Sequence, residues 1–218
     1  MNLKYQSPII PAGDTRDMIM DPATKLILAS ASPRRKELLR QAGLTFKILP
    51  AHVDETYLPG EPPRAHVRRL SRDKASAVAR KHADAWVLGA DTIVVIDQLV
   101  LGKPQSRREA REMLARLANR EHEVFTGFTL TRAADRVSIS RVVRSAVRFK
   151  AISEEEMDWY VGCDEPYDKA GGYAVQGLGA FFIRSIRGSY TNVIGLPLCE
   201  TIDEMRRLKI VSFGKDHG

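Results

Sequence analysis

Cysteine is scarce in this 218-residue chain: Cys163 and Cys199 are the pair it has. They lie far apart without Cys-x-x-Cys spacing, which excludes a disulfide scaffold or a thiolate metal site and leaves reduced, structural thiols as the expectation. Aromatic residues make up 7% and form no cluster with basic ones, so the stacking platform of a single-strand nucleic-acid binder is missing. No apolar run is long enough to cross a bilayer. The opening "MNLKYQSPIIPAGDTRDMIMDPAT" has no basic segment followed by an unbroken apolar one, so no secretory signal is expected. A soluble cytoplasmic protein without a membrane partner is the expectation. The five histidines, among them His52, His66 and His122, have no metal-binding spacing.

What is abundant is positive charge. Lys and Arg number 34 against 27 Asp and Glu, a net +7, a surplus that attracts anions without choosing among nucleic acid, acidic membrane and phosphorylated metabolites. With 44% apolar residues the chain can bury a substantial core.

Residues 1–24, rich in proline and without periodicity, read as a loosely held N-terminal extension. A domain is expected over 25–210, followed by a tail at 211–218. Leu26 to Leu28 form a short strand; Ser32 caps a helix with Pro33 in its first turn and Leu38, Leu39 and Ala42 as its buried stripe, ending at Gly43. Residues 45–50 read as a second strand. Residues 64–82 read as a helix with Val67, Leu70, Ala77 and Val78 on one face. A central strand starts at Trp86 and either continues or turns back after Asp91. Capping boxes are predicted at Ser106/Glu109 and Ser153/Glu156, the latter with an Ile152/Met157 staple. Strands at 123–131 and 136–149, a glycine-rich loop at 171–179, a strand at 180–187 and a helix near 198–208 complete a mixed-sheet α/β protein, expected as one compact unit.

Arg34 and Arg35 sit in the first helical turn, where unpaired N–H groups already make the end electropositive. A bound anion reverses that penalty: with Ser30, Ser32 and the helix-start N–H groups they can form a phosphate cradle, although Ser32 can equally be a simple cap. Lys74 falls on the helix face that otherwise packs inward, so its ammonium must snorkel out or meet an anion. Asp91, after "WVLGA", stands at a strand end at the rim of a sheet, where open α/β folds bind ligands, although alone it can equally cap a turn. Glu55 and Lys103 are uninformative singly. Together, several cations plus acids able to hold a divalent ion are what phosphoanhydride cleavage requires.

Eight segments carry a resemblance: "ASASPRRKELL", "VDET", "SRDKA", "GADT", "GKP", "HEVFTG", "YDKAGGYAVQG" and "GSYTNVIGLPL". In this order, over about residues 25–205, the sequence resembles the Maf-type nucleoside triphosphate pyrophosphatases, historically called septum formation proteins. The resemblance implies an elongated mixed sheet flanked by helices, akin to the inosine triphosphatase-like enzymes, with a cleft between two lobes and often a homodimer. It also implies hydrolysis of a nucleoside triphosphate to monophosphate and pyrophosphate with Mg²⁺ or Mn²⁺. Asp91 would be the proton acceptor or a metal ligand, with Glu55 as a second acid at the metal. Ser30, Ser32, Arg35, Lys74 and Lys103 would hold the triphosphate, Glu37 would support the site, and Arg34, Thr92 and Gln176 would bear on base selection. The "DKAGGYAVQG" segment resembles that of the branch acting on dTTP and UTP, with Gly172, Ala174 and Val175 departing from its commoner residues. A Gln amide offers both a donor and an acceptor to a pyrimidine edge. The alternatives are a relative preferring another modified nucleotide and a basic interaction protein restraining cell division without catalysis. The expected partner is a small nucleotide, with no stable nucleic-acid complex.

Overall fold

The computed structural model describes residues 18–214. In chain order it runs β1 (Met18–Met20), β2 (Leu26–Leu28), α1 (Pro33–Gln41), β3 (Lys47–Ile48), α2 (Pro63–Ala79), β4 (Trp86–Ile96), β5 (Leu99–Leu101) and α3 (Arg107–Leu117). Then follow β6 (Glu121–Arg132), β7 (Val137–Phe149), α4 (Glu154–Val161), β8 (Ile183–Arg187), α5 (Tyr190–Ile194), α6 (Leu198–Arg207) and β9 (Val211–Phe213). Seven strands make one mixed sheet in the order β3-β2-β4-β6-β7-β8, with β5 added to β4, and helices flank it. β2 pairs in parallel with β3 and β4, and the remaining neighbours in that sheet are antiparallel. No helix among the described residues is long and apolar enough to cross a membrane.

The long strands β4 and β6 serve two cores. Trp86, Leu88 and Ala90 of β4, with Phe128 and Leu130 of β6, pack against Leu38, Leu39, Leu196 and Met205 at one end. Val94 and Ile96 of β4, with Val124 of β6, pack against Leu114, Leu117, Phe149, Tyr160 and Phe182 at the other. Successive side chains alternate across a strand, so the residues at 86, 88, 90, 92, 94 and 96 share one face. Thr92 is the polar break in that apolar series and falls where one core gives way to the next.

The strand from Trp86 continues straight through Asp91 and turns back only at Asp97 and Gln98, both in the left-handed region with φ 49° and 65°, as a two-residue hairpin turn of the primed type requires. On one edge β4 pairs β6 from Val87 to Val95. On the other it meets β2 through Leu88 and β5 from Val94 onward. Among the described strands, residues 89–93 therefore have an open edge, and Asp91 and Thr92 stand in that gap.

Helix α2 lies directly on the backbone of the sheet. A Cβ added at Gly89 would come 2.3 Å from the Ser71 carbonyl oxygen, and one at Gly127 would come 2.2 Å from that of Val67. Gly127 is the cross-strand partner of Asp91. The two glycines thus set how deeply α2 sinks. The inward face of α2 comprises Val67, Leu70, Ser71, Lys74, Ala75 and Val78; Ala75 takes the buried place that the sequence reading gave to Ala77, which is only half-buried.

Other expectations are adjusted locally. Ser153 and Glu156 form the full capping box, whereas Ser106 caps α3 alone because the Glu109 carboxylate accepts from the Gln105 N–H instead. The 45–50 strand shrinks to Lys47–Ile48, the strand at 180–187 begins at Ile183 after a 3-10 turn over Leu178–Phe182, and α5 was unforeseen. Residues 18–20 are no loose arm: β1 pairs antiparallel with β9, Met18 opposite Phe213, and Met18 and Met20 pack on the core beside Val211. A three-residue strand is too short to display a period. The rest of the expected extension, residues 1–17, and the end of the tail, residues 215–218, lie outside the described residues.

Candidate active site

A cavity of about 820 Å³ opens at the gap in the sheet. Its wall includes Ser30 and Ser32 from the β2–α1 connection, Arg34 and Arg35 from the first turn of α1, Glu55 from the loop before α2, Lys74, Asp91, Thr92, Lys103 and Gln176. Of the residues expected from the sequence, Glu37 is the exception. It lies two residues, or about 200° of helical rotation, beyond Arg35, which turns it outward, where its carboxylate accepts from Gln41 Nε2 at 3.2 Å. Glu37 is therefore not brought to the cavity wall with the other expected residues.

At the centre is a buried ammonium. Lys74 and Asp91 are each 7% exposed, and Lys74 Nζ donates to Asp91 Oδ1 at 2.8 Å. The same nitrogen lies 2.9 Å from Glu55 Oε1. A buried lysine needs an anionic partner, and here it holds two carboxylates of different chain segments beside each other. Two hard oxygen ligands of this kind suit Mg²⁺ or Mn²⁺, ions that keep several waters and bind through one or two carboxylates plus substrate phosphates. Among the described residues no group of three or more His, Cys, Asp or Glu side chains is placed to hold a metal ion.

Arg35 is engaged on three sides: Nε donates to the Gly195 carbonyl at 2.8 Å, and its two terminal nitrogens donate to Ser30 Oγ and Thr92 Oγ1, each at 3.0 Å. Three of its five N–H donors are thereby spent, and two remain for a ligand. Burial lowers its pKa from the usual arginine value, opposed by the Asp91 charge, yet a guanidinium stays charged. Thr92 in turn contacts Thr126 Oγ1 at 2.9 Å, and Thr126 donates to the Asn192 carbonyl at 3.0 Å. Thr92, expected from the resemblance to bear on base selection, is thus placed as a brace for Arg35. Ser32 caps α1, accepting from the Arg35 N–H at 3.4 Å, and the helix start from Ser32 to Arg35 lines the cavity.

The loop that brings Glu55 is pinned to α2. Arg69 Nε and one terminal nitrogen donate to the two oxygens of Glu61, each at 2.8 Å, and the same terminal nitrogen donates to the Thr56 carbonyl at 3.1 Å. The Arg69 hydrogen bonds, with help from His66 and against the effect of burial, lower the Glu61 carboxyl from 4.5 to about 2. A carboxyl depressed by folding stabilises the fold fully above its unfolded pKa, and that contribution is lost as pH falls through the folded value. Acid unfolding should therefore gain a component between pH 4.5 and about 2, and Glu61→Gln should flatten it in a titration followed by circular dichroism.

Sequence reasoning missed several wall residues. Glu165, Asp168 and Lys169 line the cavity, as does His52. Asp168 and Lys169 lay within the quoted "YDKAGG" segment, but their charges had no partner visible in the sequence. Among the described residues the wall carries five cations (Arg34, Arg35, Lys74, Lys103, Lys169) and four carboxylates (Glu55, Asp91, Glu165, Asp168).

The pattern of a family described as Maf-like protein matches residues 25–208. A protein of Syntrophus aciditrophicus (strain SB) named dTTP/UTP pyrophosphatase is 57% identical over 192 residues, covering 88% of this chain and 94% of that protein. A dTTP/UTP pyrophosphatase of Myxococcus xanthus (strain DK1622) is 50% identical, covering 84% and 92%, and one of Desulfotalea psychrophila (strain LSv54 / DSM 12343) is 46% identical, covering 86% and 96%. The solved structure of the Staphylococcus aureus Ham1 protein aligns over 58% of this chain and 72% of its own with a TM-score of 0.37 and 11% identity, a likeness too remote to build on.

Proposed function

The chain belongs to the Maf family, and from that premise we propose that it is a nucleoside triphosphate pyrophosphatase acting on dTTP, UTP or modified pyrimidine relatives in the cytoplasm. The observation that carries this reading is Lys74 bridging Asp91 and Glu55 inside a cavity whose wall also presents the α1 N-terminus, Arg34 and Lys103. Water attacks the α-phosphorus, the bond from that phosphorus to the bridging oxygen of the β-phosphate breaks, and pyrophosphate leaves with the monophosphate retained. Asp91 orients the water and accepts its proton. Arg34, through its guanidinium and its backbone N–H, the two remaining Arg35 donors and Lys103 hold the phosphate oxygens and offset the charge that moves onto the leaving group. Lys74 holds the Asp91 carboxylate in place through its 2.8 Å hydrogen bond. Asp91 and Glu55 would hold a Mg²⁺ or Mn²⁺ ion, which supplies charge neutralisation and polarises phosphoryl oxygens. Gln176, exposed on the cavity wall, offers its amide to the pyrimidine edge.

The test is pyrophosphate release from dTTP, UTP, dCTP, ATP, GTP and modified relatives with either metal. dTTP and UTP should be turned over fastest, and Gln176→Ala should reduce that preference by about tenfold. Purine triphosphates clearly ahead of dTTP and UTP would overturn the pyrimidine assignment; no release from any nucleotide would overturn the reaction class.

A further inference from the structure

The segment carrying Gln176 is tied down immediately after it by one carboxylate. Glu165 opens a 3-10 turn over Glu165–Asp168. Its Oε1 accepts from the Tyr160 hydroxyl and from the Gly179 N–H, each at 2.8 Å, and its Oε2 accepts from the Leu178 N–H at 2.8 Å. Lys169 Nζ donates to the Glu165 carbonyl at 2.9 Å. The fit against the chain is close: a Cβ added at Gly177 would sit 2.0 Å from Glu165 Oε2. Burial pushes the Glu165 carboxyl up, but the Gly179, Tyr160 and Leu178 hydrogen bonds outweigh it and leave the group below the usual range.

A carboxylate presents about four lone-pair sites, and three are occupied by donors that belong to the fold. Glu165 therefore lines the cavity without being disposed as a free acid or base. We propose that Glu165 is a positioning residue for nucleotide selectivity: its carboxylate fixes residues 177–179 and thereby sets the reach of the Gln176 amide toward the base. Gly177 is part of the same device, since any side chain there would push the loop off the carboxylate. The inference rests on the pyrophosphatase reading above, and wild-type turnover of dTTP must be seen first; its absence would sink that reading and not this one.

The experiment compares kcat/KM for dTTP and dGTP. In Glu165→Gln the side chain keeps its size but turns an N–H₂ toward a backbone N–H, so the anchor is broken at one oxygen. The dTTP-to-dGTP ratio should fall about tenfold, with most of the dTTP loss in KM. Gly177→Ala should lower the ratio in the same direction. Removing the carboxylate makes room for that methyl group, so Glu165→Ala/Gly177→Ala should match Glu165→Ala alone, a coupling expected only of residues in contact. Equal losses for both nucleotides, or effects of the two substitutions that simply multiply, would overturn the proposal. Should Glu165→Gln not accumulate as folded protein, Tyr160→Phe, which deletes one donor and keeps the ring, replaces it: a ratio lowered about threefold supports the inference, and a wild-type ratio overturns it.

Discussion

Asp91→Asn is expected to cut dTTP turnover by about 10³-fold, the scale of a lost general base, while the protein still melts cooperatively near the wild-type temperature. The two halves of this expectation have separate origins. Asparagine keeps the shape of aspartate and an oxygen able to accept from Lys74 Nζ, now 2.8 Å away, and Glu55 remains 2.9 Å from the same ammonium. The buried cation is therefore not stranded, which spares the cost of about 3–5 kcal/mol that an unpaired buried charge incurs. The amide, however, neither takes a proton from water nor contributes negative charge to a metal. Pyrophosphate release paired with a thermal melt separates these effects. Near-normal turnover would mean that Asp91 is neither base nor ligand, and the proposed chemistry would have to be placed elsewhere in the cavity.

Gly127→Ala is expected to be the most damaging change remote from the ligand. The added methyl group meets backbone, the Val67 carbonyl oxygen at 2.2 Å and the Val67 carbonyl carbon at 2.5 Å, so no rotamer change relieves it and helix α2 must lift. Overpacking of this kind costs about 3 kcal/mol or more, which for a domain of this size lowers the melting temperature by roughly 6–12 °C. Lifting α2 also withdraws Lys74 from Asp91, the residue directly across the ladder from Gly127. Activity at a temperature where the variant is still folded should then fall as well. A variant with wild-type melting and turnover would show that α2 is not seated on the sheet at this point.

Much of this arrangement is legible in the sequence because it depends on local chemistry. Ser32 before Pro33 marks a helix start, the Ser153/Glu156 pair announces α4, and the inward register of Lys74 follows from its offset to Val67 and Leu70. The reach of each feature is short, and so is what it reveals. The seat of α2 on Gly89 and Gly127 depends on two strands meeting a helix, and neither glycine stands out from the 15 in the chain. Glu37 illustrates the converse: it shares a segment with Arg34 and Arg35, but helical rotation takes it away from them. Glu165, ahead of the glycine-rich stretch, gains its partners Leu178 and Gly179 only when the chain folds back on itself. Thr92 lines the same cavity as Asp91, but strand alternation sends it to the opposite face, where Arg35 arrives from 57 residues away.

The near balance of charge on the cavity wall has a bearing on how the protein meets its surroundings. The excess of +7 carried by the chain is not concentrated there, where five cations face four anions. Such a lining, five cations less four anions or a net +1, adds little to the field that the whole chain exerts at long range. A guest that brought a divalent ion with its phosphates would meet both signs of that wall, and the ionic-strength dependence of its capture would then report the overall +7 of the chain more than the lining.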